Sequence, residues 1–206
     1  MHLPHRLLLA TVLLAAAAPL RAQESKFLNH QLNVMPLAGQ KIALLPITYV
    51  VADPAVTADS AWQPWSDRVP ALRRAYSLVD AELVARSPEI NWVLPAELRK
   101  ISRRAGGMLA SPDEMGQAML RNESLKDVPD NLAAPLRKFV ALAGGRVVLV
   151  PAALGFSREA DGHWRADLSL ALVDARRASI VWRSLAVGRG TTPDIAVQRA
   201  AASVFP

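Results

Sequence analysis

Apolar and polar side chains alternate along residues 163–173. Trp164, Ala166, Leu168, Leu170 and Leu172 fall on one side, and Arg165, Asp167, Ser169, Ala171 and Val173 on the other. A period of two belongs to a β-strand with one buried and one partly wet face, and it favours an antiparallel neighbour. Candidate neighbours flank it. Residues 146–156 (RVVLVPAALGF) form an apolar run with an internal Pro151, and Asp161-Gly162 is a hairpin signal between the two. Residues 179–188 (SIVWRSLAVG) return after a turn over 174–178. The last third of the chain therefore predicts a three-strand meander.

Earlier in the chain the period lengthens. Val69, Leu72, Tyr76, Val79 and Leu83 recur at helical spacing within 67–86, with Arg73, Arg74, Ser77 and Asp80 mostly outside the stripe and Pro88 marking the end. A basic helix is predicted over 95–105, closed by Gly106-Gly107, and another over 132–143, closed by Gly144-Gly145. Ser111-Pro112-Asp113-Glu114 has the form of a capped helix start and predicts a helix to about residue 122. Thr192-Pro193-Asp194 opens a final helix in the same manner. Two further apolar runs, 41–51 (KIALLPITYVV) and 90–94 (INWVL), read as strands, and Pro46 argues for an edge position or a bend in the first. The order is β-α-β-α-α-α-β-β-β-α. A helix between the first two strands implies a parallel pair. The fold class is α/β: a mixed sheet with a parallel β-α-β start, an antiparallel meander near the end, and helices packed on it.

The first 22 residues stand apart. His2, His5 and Arg6 precede an apolar run over 7–18, then Pro19-Leu20-Arg21-Ala22. That is the plan of a secretory signal peptide with a cut near Ala22, and the run is short for a membrane span. The expected organisation is a signal peptide at 1–22, an extended lead-in at 23–40, and one α/β domain at 41–206. Loss of Arg6 and Arg21 with the leader takes the net charge from +6 to +4. A mildly basic exported chain points to solubility or a weak contact with anionic envelope surfaces, and away from nucleic acid. There is no cysteine, so neither a disulfide nor lipid attachment at a cleaved amino terminus is available. No further apolar segment is long enough for a membrane span.

Three segments together, KIALLPIT at 41–48, GGRVVLVPAALGF at 144–156 and LSLALVDARRASIVWRS at 168–184, carry a resemblance. The chain resembles the exported α/β domain shared by the TolB amino-terminal domain, the curli-secretion subunit CsgG and the penicillin-binding-protein activator LpoB. Asp174, Val181 and Trp182 fall on the closing hairpin pattern of that group. Arg177 and Ala178 replace its Thr-Gly, which predicts a different turn geometry, because alanine tolerates positive φ poorly. The lipid-attachment cysteine of CsgG and LpoB is missing. The resemblance implies fold, compartment and a tendency to act through protein contacts, and it supplies no catalytic residue.

Candidate contact residues are Asp53, Trp62, Trp65, Arg99 and Arg103. The loop 53–67 follows the first strand's carboxyl end, where open α/β sheets bind ligands. Its Trp62 and Trp65 either stack on a sugar or grip a partner peptide, or fold back as a lid on the core. Arg99, Lys100, Arg103 and Arg104 share one helix face, which either docks an anionic head group or acidic partner, or is simply solvated. His30 and His163, the mature chain's two histidines, lie in weakly patterned positions, and HExxH, GxSxG and phosphate-loop motifs are absent from the sequence. No cofactor, metal ligand or catalytic residue is expected. The reading is an exported, non-enzymatic protein-interaction module, periplasmic or secreted, whose partner is another envelope protein. The alternative is a small-ligand or glycan-binding domain using the 53–67 loop, and a hydrolase has the least support.

Overall fold

The sheet is organised around two prolines that break it at one level. The computed structural model describes residues 25–206, so the leader expected at 1–22 lies outside the described residues. Strand β1 (Lys41–Leu44) pairs with the start of β4 (Val147–Arg158) as far as Leu44 opposite Leu149. Strand β2 (Val50–Ala52) resumes beside the same partner at Val50 opposite Leu154. Pro46 lies in the gap on one side and Pro151 on the other. Neither residue has an N–H to give to a ladder. The run expected as one strand over 41–51 is therefore two short strands set end to end. Pro46 marks a bend in an interior strand rather than a sheet edge.

The same interruption changes which way β4 faces. A bulge at Ala152 inserts one residue into its pairing with β5 (Trp164–Asp174). Leu149, Leu154 and Phe156 consequently share one face although their numbers differ in parity, while Val148, Val150 and Ala152 share the other. Strand β6 (Ser179–Gly190) pairs antiparallel to β5 and carries a second bulge at Val181. Strand β3 (Asn91–Val93) pairs parallel to β1. The order across the sheet is β3-β1-β4-β5-β6, with β2 beside β4. The mixed sheet, its parallel β-α-β start and its antiparallel meander are thus as the sequence patterning predicts.

Helices cover both faces. α2 (Arg68–Arg86) and α5 (Pro193–Ala202) pack on the face that holds Leu168, Leu170 and Leu172. α3 (Pro95–Arg104) and α4 (Asp130–Ala143) pack on the face that holds Val148, Ala171 and Val173. A single-turn helix, α1 (Pro54–Thr57), follows β2. Inward residues of α2 are Ala71, Ala75, Val79 and Leu83, spaced by four. Val69, expected on that stripe, is 63% exposed. Ala71 and Ala75 hold the buried positions of the first half, with Leu72 and Tyr76 half-buried beside them.

The helix expected over 111–122 is replaced by a turn and a 3-10 segment at Gln117–Arg121. The Ser111 hydroxyl does accept from the Asp113 N–H, so the cap forms. Gly116 then takes a left-handed conformation (φ 71°) and stops the helix before its second turn. Its neighbour Gln117 is buried and donates to the Pro46 and Pro112 carbonyls. That contact satisfies the chain where β1 breaks. Ala178 has φ +55°. The closing turn thus keeps a positive φ at the position where alanine replaces the group's glycine, contrary to the expected change of geometry.

Residues 27–31 lie along the outer edge of β6. Leu28 pairs with Leu185, Asn29 N–H donates to the Leu185 carbonyl, and Leu32 N–H to the Val204 carbonyl. Leu32 and Leu37 join the α2–α5 core. At the other end of that edge, Val128 N–H donates to Ala178 and Ile180 N–H to Lys126. Most of the β6 edge is therefore paired, and the opposite edge, β3, is three residues long; both limit edge-to-edge pairing.

Candidate functional site

The loop 53–67 is built from two aspartate-capped turns. Asp53 accepts from the Ala55 N–H at 2.9 Å and Asp59 from the Ala61 N–H at 2.8 Å. The Ala61 N–H, followed by the Arg158 guanidinium, holds the Asp59 carboxyl below its ordinary value. These turns direct both indoles inward: Trp62 is 7% exposed and Trp65 is 2% exposed. Trp62 stacks at 6.2 Å on Trp164 and meets Phe156 edge-on at 5.2 Å. Trp65 lies 4.7 Å from Phe156, and its N–H donates to Asp194 at the start of α5. Arg74 of α2 grips the same carboxylate with two nitrogens. The rings form the lid on the core, and neither offers an open face for a sugar to stack on. Asp53 is exposed and serves as a cap.

The basic helix also divides in two. Arg99 makes two hydrogen bonds to Asp113, at 2.7 and 2.8 Å, and stacks over the Tyr76 ring at 4.8 Å. Lys100 sits 3.3 Å from Glu97. Both are occupied within the fold. Arg103 and Arg104 pair with no carboxylate among the described residues, and the same holds for Arg137 and Lys138 on the outer side of α4. The sequence singled out Arg99 and Arg103 together; the structure leaves only Arg103 unneutralised.

An apolar groove of about 820 Å³ opens beside these cations, between the end of α3 and the second half of α4. Ile101, Ala105, Met108, Ala141 and Leu142 line it, with Arg104 and Lys138. Local sequence explains its shape. Gly106 and Gly107 both take positive φ (57° and 84°), turning the chain sharply off α3. Met108 is left 77% exposed while Leu109 is buried. The Lys138 ammonium donates to the Met108 carbonyl at 3.1 Å and ties this turn to α4. On α4, Leu132, Leu136, Phe139 and Val140 face inward, and Leu142, one position beyond that stripe's edge, is 59% exposed. Two large apolar side chains thus stand in water next to unpaired positive charge. The volume lies in the usual range of ligand pockets.

A second cleft, of about 850 Å³, borders the bare half of the sheet along β5 and β6. Two of its three arginines are paired with carboxylates, and the third, Arg199, donates to the Arg189 carbonyl. Arg165 sits 2.8 Å from Asp167, and Arg189 2.9 Å from Glu159. The contrast singles out the α3–α4 groove, where the charge is of one sign.

With this geometry in view, comparison with solved structures finds weak likenesses. No family model matches the chain, and no curated protein matches it. The chain is similar to the LpoB C-terminal domain from Salmonella enterica at 13% identity and a TM-score of 0.39, over 74% of this chain and 82% of that one. It is similar to the PelC dodecamer from Paraburkholderia phytofirmans at 14% identity and a TM-score of 0.39, over 81% and 87%. It is similar to lipoprotein GNA1162 from Neisseria meningitidis at 14% identity and a TM-score of 0.33, over 73% and 80%. LpoB belongs to the group that the three sequence segments resemble.

Titratable chemistry elsewhere is structural. Burial pushes the Asp80 carboxyl up to about 7, with the nearby Arg99 charge pulling the other way. Asp113, on the same arginine, is held low by its hydrogen bonds to Arg99. Asp174, the hairpin aspartate of the resemblance, is held low by Arg146 and accepts from the Arg176 and Arg177 N–H groups, so it shapes the turn. Arg183 is buried on β6 and donates to the Leu120 and Leu125 carbonyls. Burial lowers its pKa, and it anchors the segment that replaces the expected helix. His30 and His163 are both exposed. No group of three or more metal-capable side chains occurs among the described residues, and none of their helices is long and apolar enough to cross a membrane.

The sequence missed Met108, Lys138 and Leu142. The available signal was small: a methionine thrown out by a Gly-Gly turn, and a leucine off the inward stripe of its helix.

Proposed function

We propose that this chain is an exported, non-enzymatic protein-interaction module of the bacterial envelope, and that the α3–α4 groove is its contact surface. One observation carries the reading. Exposed Met108 and Leu142 sit in a formed groove beside two cations, Arg104 and Lys138, that no described carboxylate neutralises. Apolar surface left in water at a concave site, rimmed by charge, is the ordinary mark of a binding surface. The aspartates that could have served chemistry are engaged elsewhere, Asp53 and Asp59 as caps, and Asp113, Asp174 and Asp194 in arginine pairs. Export rests on the leader pattern of the first 22 residues. The partner is another envelope protein, and weak attraction to anionic surfaces follows from the mature net charge.

The test is site-specific photo-crosslinking in the native host, with a benzophenone amino acid at position 142 or 108, and at position 161 in the β4–β5 hairpin as control. A discrete protein adduct at 142 and 108, but not at 161, is the expected result. Equal labelling at all three positions, or no protein adduct at 142 and 108, would remove the groove as the contact surface.

A further inference from the structure

The groove's shape and charge together specify more than an unnamed protein. Its walls are helices on both sides: Ile101, Arg104 and Ala105 from α3, and Lys138, Ala141 and Leu142 from α4. A trough between two helices, lined by aliphatic side chains, receives the apolar stripe of a third helix, with anchors spaced by three and four residues. A strand would need a free sheet edge instead, and this face carries none.

Charge selects what surrounds that stripe. Arg104 stands on one wall and Lys138 on the other. The one acid of α3, Glu97, lies beside Lys100; Asp113, from the turn that follows, holds Arg99; and the one acid of α4, Asp130, is at the other end of that helix. A helix seated here would have positive charge along both flanks. Like charges on its own flanks would be repelled, whereas carboxylates would be drawn in and would fix its register.

Resting on the reading of this groove as a protein-contact surface, we infer that its occupant is an acidic amphipathic helix of the partner. The apolar stripe of that helix packs on Met108, Ala105, Ala141 and Leu142. Its glutamates or aspartates face Arg104 on one side and Lys138 on the other.

The test uses the mature chain, residues 23–206, isotope-labelled for NMR. The probes are helix-forming peptides of about 18 residues. All share one leucine stripe, and their polar positions are glutamate, lysine or glutamine; a fourth peptide scrambles the glutamate version to destroy the stripe. Vesicles of phosphatidylglycerol and of phosphatidylcholine serve as further probes. The glutamate peptide is expected to shift resonances of Ala105, Met108, Ala141 and Leu142. It should bind roughly tenfold more tightly than the glutamine peptide, and lose that advantage in the Arg104→Glu/Lys138→Glu double variant and on raising salt from about 0.05 M to about 0.5 M. Circular dichroism and urea unfolding establish that the variant is folded.

Equal affinity for the glutamate, glutamine and lysine peptides overturns the inference, and so does equal affinity for the scrambled one. If no peptide binds but photo-crosslinking at position 142 still yields a discrete protein, the contact-surface reading stands and the acidic helix falls. If phosphatidylglycerol vesicles shift the groove resonances and the peptides do not, the face is a membrane contact and both statements fall. Absence of every response, with no adduct, also sinks both.

Discussion

Helix α5 and the α3–α4 pair sit on opposite faces of one sheet and meet it in opposite ways. α5 rests directly on the backbone of β6. A Cβ placed on Gly188 would lie 2.1 Å from the Ala196 carbonyl oxygen and 2.2 Å from the Ala200 nitrogen. At Gly190 it would lie 2.7 Å from the Ala196 nitrogen. Neither glycine has a positive φ, so close approach, not backbone freedom, requires them. Ala196, Val197, Ala200 and Ala201 complete that contact without a gap. α3 and α4 also bury their inner sides, but they part at their ends and leave the groove open. One face is closed down to backbone contact, and the other holds its apolar side chains in reserve. If the groove is the contact surface proposed above, stability and recognition fall on different helices, and the groove can vary without disturbing the core.

The strongest way to break this comparison is Gly188→Ala. One methyl group must displace helix backbone rather than a flexible side chain. Overpacking of this kind is expected to cost about 3 kcal/mol, read as a lowered urea midpoint at unchanged slope. A loss below about 1 kcal/mol would mean that α5 slides freely, and that the closed face is no more rigid than the open one.

Asp80 tests the seam where the two faces meet, since α2 belongs to the closed side and Arg99 to α3. Its carboxyl is raised from 3.8 to about 7 by burial. Between those values the folded state holds a proton that the unfolded state has released, so stability falls as pH rises from about 4 to 7 and then levels off. Asp80→Asn imitates the protonated form. The variant should match the wild type near pH 4 and exceed it above pH 7, by about 2–4 kcal/mol. Paired unfolding curves across that pH range check this. A constant difference at every pH would show that Asp80 does not titrate in the window, and that the seam is wetter than its packing implies.

Much of this architecture was legible in the sequence, for physical reasons that also explain the failures. The meander was readable because a period of two in residues 164–172 has no competing helical interpretation. α4 and α5 were readable because Gly144 and the Thr192-Pro193 cap do locally what their residue types favour. The helix expected after Ser111 failed because its cap is a local signal, whereas Gly116 and buried Gln117 answer to the broken strand some 70 residues earlier. Non-local demand prevailed over local preference. Trp62 and Trp65 were visible as a pair, but their direction depends on Phe156 and Trp164, which the fold alone brings near. The groove was hidden for the same reason. Met108 and Leu142 are unremarkable singly, and their meaning arises from being neighbours. Nothing in the local sequence shows that Gly188 must admit a helix.

The β5–β6 turn sharpens the comparison at the end of the sheet that borders the α3–α4 core. Ala178 holds φ +55° where its own carbonyl accepts from the Val128 N–H and the Ile180 N–H donates to the Lys126 carbonyl. Closing that end of the sheet therefore carries a strained alanine. Ala178→Gly relieves the steric cost while adding freedom to the unfolded chain. The net expectation is a gain of about 0.5–1 kcal/mol in the unfolding free energy, which differential scanning calorimetry would resolve as a higher Tm. A loss of stability would show that the alanine methyl packs usefully against the α3–α4 core it borders.

The smallest effect belongs to the open side, and it is the one that separates recognition from stability. Leu142 is on α4 but contributes little to its inward packing, since 59% of it is exposed. Leu142→Ser removes apolar surface that already faces water, at a modest loss in helix preference. Its unfolding free energy should remain within about 0.5 kcal/mol of the wild type. Adduct formation from position 108 should nevertheless fall, because the groove loses one wall. A destabilisation of about 2 kcal/mol or more, the size typical of a core truncation, would place Leu142 in the core. The two faces would then differ in packing density alone, and the contrast between a closed face and a receptive one would not hold.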